Sequence, residues 1–254
     1  HTADGRYLAF ATLLRRDGYV VRASSTPFSG ATLSQADVLV ISNALNERNL
    51  EDWSLPTPSA FLGEEIDAVR RWVEAGGALM LIADHMPMPG AAEALAAAFG
   101  VKFLNGFAFE SEVDTDGPIM FRRSDGSLRP HFITEGRDAA ERVDSVASFT
   151  GQAFEVGAGT PVMVFRSEAI SFNPQVAWRF GDDTPTTRVG GWSQGAVLEY
   201  GQGRVALFGE AAMFTAQVAV DGSNRFQMGM NRPEAAQNQQ FLLNVMHWLT
   251  RMGG

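Results

Sequence analysis

The amino-acid sequence predicts an α/β fold, in which helices cover both faces of an open, mostly parallel sheet. Helix-like and strand-like hydrophobic patterns alternate over the first 100 residues. The predicted strand at 78–84 is almost wholly apolar, which is typical of a strand buried on both faces of a parallel sheet. Of the 254 residues, 45% are hydrophobic and 19% are charged, the balance of a folded domain, so we expect a single domain over residues 1–254.

The first part of the chain contains predicted helices and strands in alternation. The helices have apolar residues at helical spacing, and they cover residues 6–17, 64–74 and 89–100. The strands are short runs rich in β-branched or aliphatic residues, and they cover residues 19–23, 37–43 and 78–84. This order predicts right-handed crossover connections and therefore a flavodoxin-like, doubly wound sheet.

Residues from about 101 to 200 are predicted to form a β-rich inserted section, because the helical pattern fades and glycine, aspartate and short apolar runs replace it. Further strands follow from apolar and aromatic runs, and they cover residues 162–165, 176–180, 196–200 and 205–210. Gly201 and Gly203 indicate a hairpin turn between the last two strands. An apolar stripe over 238–251 predicts a helix that closes the core.

Composition and charge exclude several classes of function. A total of 20 basic residues against 29 acidic ones gives a net charge of −9, and an acidic surface repels phosphate backbones, so no nucleic-acid partner is expected. No apolar run approaches the roughly 20 residues of a membrane-spanning helix. The absence of cysteine excludes disulfides, thiolate metal sites and thiol nucleophiles. Because the chain opens at His1 without a methionine and has no cysteine, we expect a processed protein that is periplasmic or secreted.

Polar residues directly follow three of the predicted strands. They are Ser42 and Asn43, the pair Asp84 and His85, and Glu210. In an open parallel sheet, ligands bind outside the carboxyl ends of the strands, where the loops diverge. We therefore expect an amide, an imidazole and two carboxylates to meet in one cleft, in which Ser42 and Asn43 contact the substrate.

Among these residues, Asp84 and His85 are the sharpest candidates for catalysis. An imidazole acts as general base or metal ligand near neutral pH, and an adjacent carboxylate orients it or shares the metal. Glu210 would be the second carboxylate, and His131, in the loop-rich section, a second imidazole. The structural alternative is that Asp84 caps the turn and His85 packs on it.

A divalent metal, zinc or calcium, is the one cofactor that we consider. His1, His85 and His131, together with the carboxylates, would form a nitrogen and oxygen shell suited to zinc. Oxygen ligands for calcium occur in acidic clusters at 114–117, 182–183 and 221–224. No spacing in these sets is diagnostic, and none of the acidic clusters matches the twelve-residue calcium loop, so solvated turns are the default interpretation.

One sequence motif points to a different chemistry. Residues 191–195, Gly-Trp-Ser-Gln-Gly, match the G-x-S-x-G turn that presents a serine nucleophile between a strand and a helix. Here the residues after Ser193 predict a strand and a hairpin. The only histidine downstream, His247, lies in the predicted closing helix. We therefore interpret the two glycines as turn residues of a hairpin. An esterase that uses Ser193 is kept as an alternative.

Three segments carry a resemblance to a known family: 76–85, 203–214 and 238–249. They resemble uncharacterised bacterial domains with the class I glutamine amidotransferase-like fold, related to trehalose-utilisation-type proteins and to gliding-motility and intraflagellar-transport domains. In amidotransferases of this fold, a cysteine nucleophile follows the strand that corresponds to 78–84. Asp84 and His85 stand there instead, so the resemblance implies the fold and no glutaminase activity. The family also has a strand before the first helix that is missing here.

Three functions follow from these observations. The leading one is a hydrolase in which Asp84 and His85 activate water, with or without a metal, on a small molecule, ester or carbohydrate-type substrate. The second is a non-catalytic binding or scaffold domain, which predicts that the polar groups at the strand ends bond to backbone. The third is the Ser193 esterase. Trp53 and Phe61, beside a proline-rich loop, are candidates for stacking on a sugar.

Overall fold

The computed structural model describes residues 2–112, 117–221 and 224–252, and the fold within them is α/β. The helices are α1 (Leu8–Arg16), α2 (Gly30–Leu33), α3 (Gly63–Glu74), α4 (Met88–Ala97), α5 (Phe132–Glu135) and α6 (Asn238–Leu249). The strands of the first half are β1 (Val38–Ser42), β2 (Ala78–Ile82), β3 (Val101–Phe103), β4 (Phe107–Phe109), β5 (Ile119–Arg122) and β6 (Ser145–Ser148). Those of the second half are β7 (Phe154–Val156), β8 (Thr160–Val164), β9 (Ile170–Phe172), β10 (Thr186–Arg188), β11 (Ser193–Tyr200), β12 (Gly203–Phe208), β13 (Ala216–Asp221) and β14 (Asn224–Gly229).

The central sheet has the strand order β1-β2-β12-β11-β7-β3, and β8 also pairs with β11. Parallel pairing is confined to β1, β2 and β12, and the pairs made by β11, β7, β8 and β3 are antiparallel. The sheet is therefore mixed, which corrects the expectation of a mostly parallel one. The reason is the tight turn between Tyr200 and Gly203, because a hairpin can join only antiparallel strands.

The register of the parallel strands aligns their ends. Ser42 of β1 and Phe208 of β12 both pair with Ile82 of β2. The residues that follow these three strands therefore lie along one side of the sheet, which we call the carboxyl edge. The side where β2 begins at Ala78 and pairs with Arg204 is the amino edge.

Helices cover both faces of the sheet, as predicted. On one face, Phe10 of α1 and Phe241 of α6 belong to a core cluster with Met80 and Phe208. On the other face, α3 and α4 pack against Leu79 and Leu81 of β2 and Leu207 of β12, whose side chains point away from those of Met80 and Phe208. Every residue of β2 is buried, which explains its almost wholly apolar sequence.

The helices predicted at 6–17, 64–74, 89–100 and 238–251 are confirmed, and two predicted strands are wrong. Residues 19–23 form no strand, because they have no neighbouring strand to bond with, and Val20 is 79% exposed. Residues 176–180 form no strand either. Val176 makes only an isolated bridge to Ser54, and Trp178 has a positive φ of 65°, which no extended strand accommodates.

The section from 101 to 200 is rich in strands, as its composition predicts. Four of its strands, β3, β7, β8 and β11, belong to the central sheet, while β4, β9 and β10 form a smaller sheet beside it. The section therefore contributes directly to the sheet that carries the candidate site. In the part of the chain described, no helix is both long enough and apolar enough to span a bilayer.

Candidate functional site

Asn43 and Asp84 connect the ends of two neighbouring strands. Asn43 has a left-handed backbone (φ 51°), and its side-chain Oδ1 accepts a hydrogen bond of 2.9 Å from the backbone N–H of Asp84. Asp84 Oδ1 in turn accepts a bond of 2.8 Å from the backbone N–H of His85. Both side chains are buried. The loops after β1 and β2 are thus held together by side chains that bond to backbone.

Glu210 follows the end of β12 by two residues and is completely buried. Its Oε1 accepts a bond of 2.6 Å from the N–H of Ala212, and its Oε2 one of 2.7 Å from the N–H of Met213. Burial and the nearby charge of Asp84 raise the pKa of Glu210 well above its ordinary value, although backbone N–H groups act to lower it. Glu210 therefore caps the turn that follows its own strand.

The structure brings Asp84 and Glu210 together at the carboxyl edge, as the strand ends predict. Besides the charge interaction, Asp84 Oδ2 accepts a long bond of 3.4 Å from the N–H of Ala211. Tyr7, on the segment leading into α1, donates its hydroxyl to the carbonyl of Ala211 at 3.2 Å. Burial raises the pKa of Tyr7, opposed by the Ser42 hydroxyl beside it. Tyr7 falls within the helix predicted at 6–17, and helical spacing alone gives no indication of this contact.

The imidazole of His85 is oriented by a backbone carbonyl. Its Nδ1 lies 2.7 Å from the carbonyl oxygen of Met86. Because a carbonyl only accepts, Nδ1 carries the proton in the neutral ring, and Nε2 keeps its lone pair. Within the described residues, Nε2 has no hydrogen-bond partner. The expectation that Asp84 orients this ring is therefore wrong, since its carboxylate bonds to the backbone of His85 instead.

Aromatic rings surround the His85 imidazole. Phe107 stacks on it with 4.6 Å between ring centroids and 12° between planes, and Trp178 meets it edge-on at 4.7 Å. Trp53 lies at 5.9 Å, and Phe180 packs edge-on against Phe107 at 5.2 Å. We call Trp53, Phe107, Trp178 and Phe180 the aromatic patch. Trp178 is 51% exposed and Phe180 is 44% exposed, so the patch opens to solvent beside a buried imidazole.

Trp178 and Phe180 were missed as site residues because the sequence pattern predicted a strand there. In a strand both would point to the same face and be buried. The left-handed backbone of Trp178 turns the segment instead, and a positive φ at a tryptophan is a strained conformation typical of functional positions. The turn sequence Gly181-Asp182-Asp183 immediately afterwards was the available signal. Of the two aromatics that sequence analysis did select, Trp53 lies in the patch, whereas Phe61 stacks on Phe28 elsewhere.

His131 does not join the other candidate residues. It is the residue before α5, where its Nδ1 accepts a bond of 3.3 Å from the N–H of Ile133, and its ring packs on Trp248. Burial and the positive charge of Arg204 lower the pKa of His131. Arg204 pairs with Ala78 at the amino edge, so His131 lies at the opposite end of the sheet from His85. The prediction of a shared cleft is wrong for this residue, because α5 packs on α6.

The predicted metal shell is not assembled. His85 and His131 lie at opposite edges of the sheet, and His1 lies outside the described residues. Over 2–112, 117–221 and 224–252, no three histidine, aspartate or glutamate side chains converge. Of the acidic clusters, 114–116 lie outside the described residues, as do the side chains at 221–224, and the Asp182-Asp183 pair is an exposed turn.

Ser193 lies within the sheet rather than on an exposed turn. It begins β11, is 2% exposed, and pairs with Phe154 of β7 and Val164 of β8. A strand follows it where a nucleophile turn requires a helix. His247, the histidine downstream, is bonded at 2.7 Å to Asp17 and does not approach Ser193 through any contact described.

Further buried amide side chains close the carboxyl edge. Gln152 Nε2 donates a bond of 3.0 Å to the carbonyl of Ala83, and the Asn238 side chain bonds to both the N–H and the carbonyl of Ala147. Sequence analysis did not select these residues, because an isolated amide in a loop or helix start gives no distinguishing pattern. The outcome is an edge in which polar side chains satisfy backbone groups.

Comparison with known proteins identifies the fold. The mmIFT52 N-terminal domain superposes with a TM-score of 0.66 at 12% identity, covering 98% of this chain and 92% of that one. The cytoplasmic protein STM1381 from Salmonella typhimurium gives 0.57 at 13% identity, over 97% and 88% of the two chains. A protein described as ThuA-like from Bacteroides uniformis gives 0.51 at 11% identity, over 98% and 87%. At such identities the similarity shows the fold alone. No protein-family model matches the chain, and no curated protein matches it in sequence.

One of these similarities corrects the expected location. We expected a periplasmic or secreted protein from the missing methionine and the missing cysteine. STM1381, which shares the fold over nearly the whole chain, is described as a cytoplasmic protein, and this contradicts the expectation. The physical reason is that neither feature reports a compartment: a chain without cysteine folds equally well in a reducing or an oxidising environment.

Proposed function

We propose that the protein is a binding domain with a flavodoxin-like, class I glutamine amidotransferase-like fold, in which Asp84 and Glu210 have a structural role. The observation that carries this proposal is the use of the two carboxylates. Their oxygens accept hydrogen bonds from the backbone N–H groups of residues 85, 211, 212 and 213. A carboxylate committed to its own turn is poorly placed to activate water or to orient an imidazole.

The ligand surface in this proposal is the aromatic patch together with His85. Trp178 and Phe180 present half-exposed rings, and in this proposal the lone pair of His85 Nε2 would accept a hydrogen bond from the ligand. Binding sites commonly combine an apolar, aromatic surface with a few placed polar groups. A ring-shaped, neutral ligand with hydroxyl donors, such as a saccharide, fits both features, because its C–H face packs on indole and its hydroxyls donate to Nε2.

The resemblance of the sequence to class I glutamine amidotransferase-like domains supports a non-catalytic role. In class I amidotransferases the turn after β2 bears the cysteine nucleophile, and here that turn bears Asp84 and His85. The His85 ring is packed against Phe107 and Trp178, and its Nδ1 is bonded to the Met86 carbonyl, so Nε2 is the ring nitrogen left to bind a ligand. We infer that this position has exchanged a reactive side chain for one that recognises a ligand.

Calorimetric titration with a panel of mono- and disaccharides tests the binding role. We expect at least one to bind, and Trp178→Ala and Phe180→Ala each to weaken its affinity about tenfold, in line with the loss of one aromatic contact of roughly 1.5 kcal/mol. His85→Phe keeps the stacking on Phe107 and removes the acceptor, so it should weaken binding as well. Phe226→Ala removes a similarly exposed ring outside the patch and is the matched control. If no saccharide binds, the assignment of this ligand class fails.

Turnover assays separate this proposal from the enzymatic alternatives. The wild-type protein should hydrolyse neither nitrophenyl esters nor nitrophenyl glycosides. Hydrolysis that is lost in a folded His85→Ala variant would establish the hydrolase and overturn the proposal. Labelling by a fluorophosphonate probe that disappears in Ser193→Ala would instead establish the esterase.

A further inference from the structure

We propose that the groove between α1 and the β13–β14 hairpin binds an acidic, apolar segment of a partner protein. This groove shares no lining residue with the aromatic patch, and the proposal is independent of the ligand proposed above. Its walls are α1 with the turn before it, the base of the hairpin, and the residues that lead out of β14. Its volume is about 670 Å³.

The apolar part of the groove is a stripe along α1. Leu8, Ala9 and Leu13 line it from the helix, and Met230 lines it from the opposite wall. Ala9 and Leu13 are four residues apart and therefore lie on the same face of α1, and Leu8 widens that stripe on one side. Leu8 is 53% exposed although it starts the helix whose inner face forms the core. An exposed leucine that continues a concave apolar surface enlarges the patch that a partner can cover.

Two guanidinium groups bracket this stripe. Arg6 lies just before α1 and Arg16 is its last residue, so they are separated by a helix about 13 Å long, at about 1.5 Å per residue. They are the only titratable residues that line the groove among those described. Neither forms an ion pair with another described residue. The groove is thus positively charged at both ends, on a protein whose net charge is −9.

The hairpin beside the groove extends the surface. β13 and β14 pair with each other and with no other described strand, and a lone two-stranded hairpin is marginally stable in water. Val218, Val220 and Phe226 are exposed on it, and Val220 is 64% exposed. Exposed apolar residues on a strand with open edges are a template for association with another chain. A bound segment would cover them.

Charge complementarity determines the class of partner. Arginines at both ends of an apolar stripe match a segment that has carboxylates at both ends of an apolar stretch. A nucleic acid would meet the overall repulsion of the acidic surface and would leave the leucine stripe unused. A second copy of this chain would have to bring acidic residues to both arginines while burying the same leucines, and the test below distinguishes it.

The experiment uses a labelled helical peptide of alanine and leucine with glutamates at both ends, and the same peptide with lysines in their place. Fluorescence anisotropy with the full chain should show that the acidic peptide binds more tightly, and that added salt weakens it. The double charge reversal Arg6→Glu with Arg16→Glu should weaken this binding at least about tenfold and should favour the lysine peptide. The reversal Arg71→Glu with Arg188→Glu, outside the groove, is the matched control.

A second variant tests the apolar contribution without touching charge. Leu8→Ser removes an exposed side chain, so it should leave the thermal midpoint of the protein unchanged. It should still lower the affinity for the acidic peptide. Equal affinity for the two peptides, or no effect of the Arg6 and Arg16 reversal, would overturn the proposal. So would concentration-dependent dimerisation, measured by sedimentation, that Leu8→Ser abolishes, because the groove would then belong to a second copy.

Discussion

The Asn43 side chain accepts the backbone N–H of Asp84 across the ends of β1 and β2, at 2.9 Å and with both residues buried. This bond ties together two loops that have no strand pairing beyond Ser42 and Ile82. Asn43 can make it because asparagine tolerates the left-handed backbone found there (φ 51°). The carboxyl edge therefore depends on a side chain whose role is to complete the backbone hydrogen bonding of its neighbour.

Replacing Asn43 tests this role. We expect Asn43→Ala to lower the free energy of unfolding by about 1–3 kcal/mol, because the Asp84 N–H would stay buried without an acceptor. Asn43→Gly also removes the acceptor but accepts the positive φ without strain, so it isolates the hydrogen bond. Urea denaturation of wild type, Asn43→Ala and Asn43→Gly measures the contributions of the hydrogen bond and of the backbone strain to the free energy of unfolding. A stable Asn43→Gly variant would mean that the backbone conformation, and not the bond, is what asparagine supplies.

Two glycines with positive φ allow steric contact to be separated from backbone strain. At Gly151 (φ 117°) an added Cβ would lie 2.1 Å from the carbonyl oxygen of Gly209, whereas at Gly18 (φ 98°) nothing lies within 4 Å. Gly18→Ala should cost about 1–2 kcal/mol from its left-handed backbone alone. Gly151→Ala should lower the free energy of unfolding by about 1–3 kcal/mol more than Gly18→Ala does, because the backbone at Gly209 must move. Thermal unfolding of both variants tests this, and equal losses would contradict the contact.

Glu210 makes stability depend on pH above the acidic range. Its pKa in the folded protein is raised above the ordinary value of 4.5 by burial and by Asp84. A raised folded-state pKa means that its contribution is fully present below pH 4.5 and is lost as the pH rises toward the folded value. Glu210→Gln removes this titration, so its midpoint should vary less with pH. In acid, the Glu210→Gln variant should also be less stable than wild type, because the amide nitrogen of the glutamine would face the N–H of Met213 or of Ala212.

Thermal midpoints of wild type and Glu210→Gln across the range from acid to mildly alkaline pH are the measurement. The difference between the two proteins should shrink, or reverse, as the pH increases. A constant difference at all pH values would contradict the raised pKa of Glu210 and would assign the loss to the hydrogen bonds alone.

Asp125 has the opposite dependence. Partial burial acts to raise its pKa, but hydrogen bonds from Arg166 and Ser127 prevail and lower the pKa to about 2 from the ordinary 3.8. Its contribution is present above pH 3.8 and is lost as the pH falls toward 2. Because both partners are about one-third exposed, we expect Asp125→Asn to cost less than about 1 kcal/mol at neutral pH.

Acid unfolding followed by circular dichroism measures this effect. Asp125→Asn should unfold at a higher pH than an Asn control at Asp183, which is an exposed turn residue with no ion pair among those described. Identical acid midpoints for the two variants would show that the pair with Arg166 contributes nothing measurable.

Much of the fold was predictable, because it follows from periodicity and from strand ends. The apolar spacing in α1, α3 and α6 indicated amphipathic helices, and each forms within a few residues of its predicted bounds. The convergence of Asp84 and Glu210 was predictable because parallel strands in register end at one edge. What strand ends do not specify is which atoms a carboxylate bonds, and here they are backbone N–H groups.

The misplaced residues depend on tertiary contacts that local patterns do not contain. His131 is located by the packing of α5 on α6, and a loop sequence carries no information on which edge of a distant sheet it reaches. Trp178 departs from the predicted strand because its backbone is left-handed, which side-chain type does not signal. The extent of parallel pairing was overestimated because β11 and β12 are joined by a hairpin.

The position of β12 has a consequence for biosynthesis. β2 is completed at Ile82, but its inner neighbour β12 begins only at Gly203, and the two meet along their whole length. On the ribosome, an apolar strand therefore waits with one edge unpaired while more than a hundred further residues emerge. Such distant pairing slows folding and exposes aggregation-prone surface. A nascent chain that stalls before Phe208 would be a natural client for chaperones.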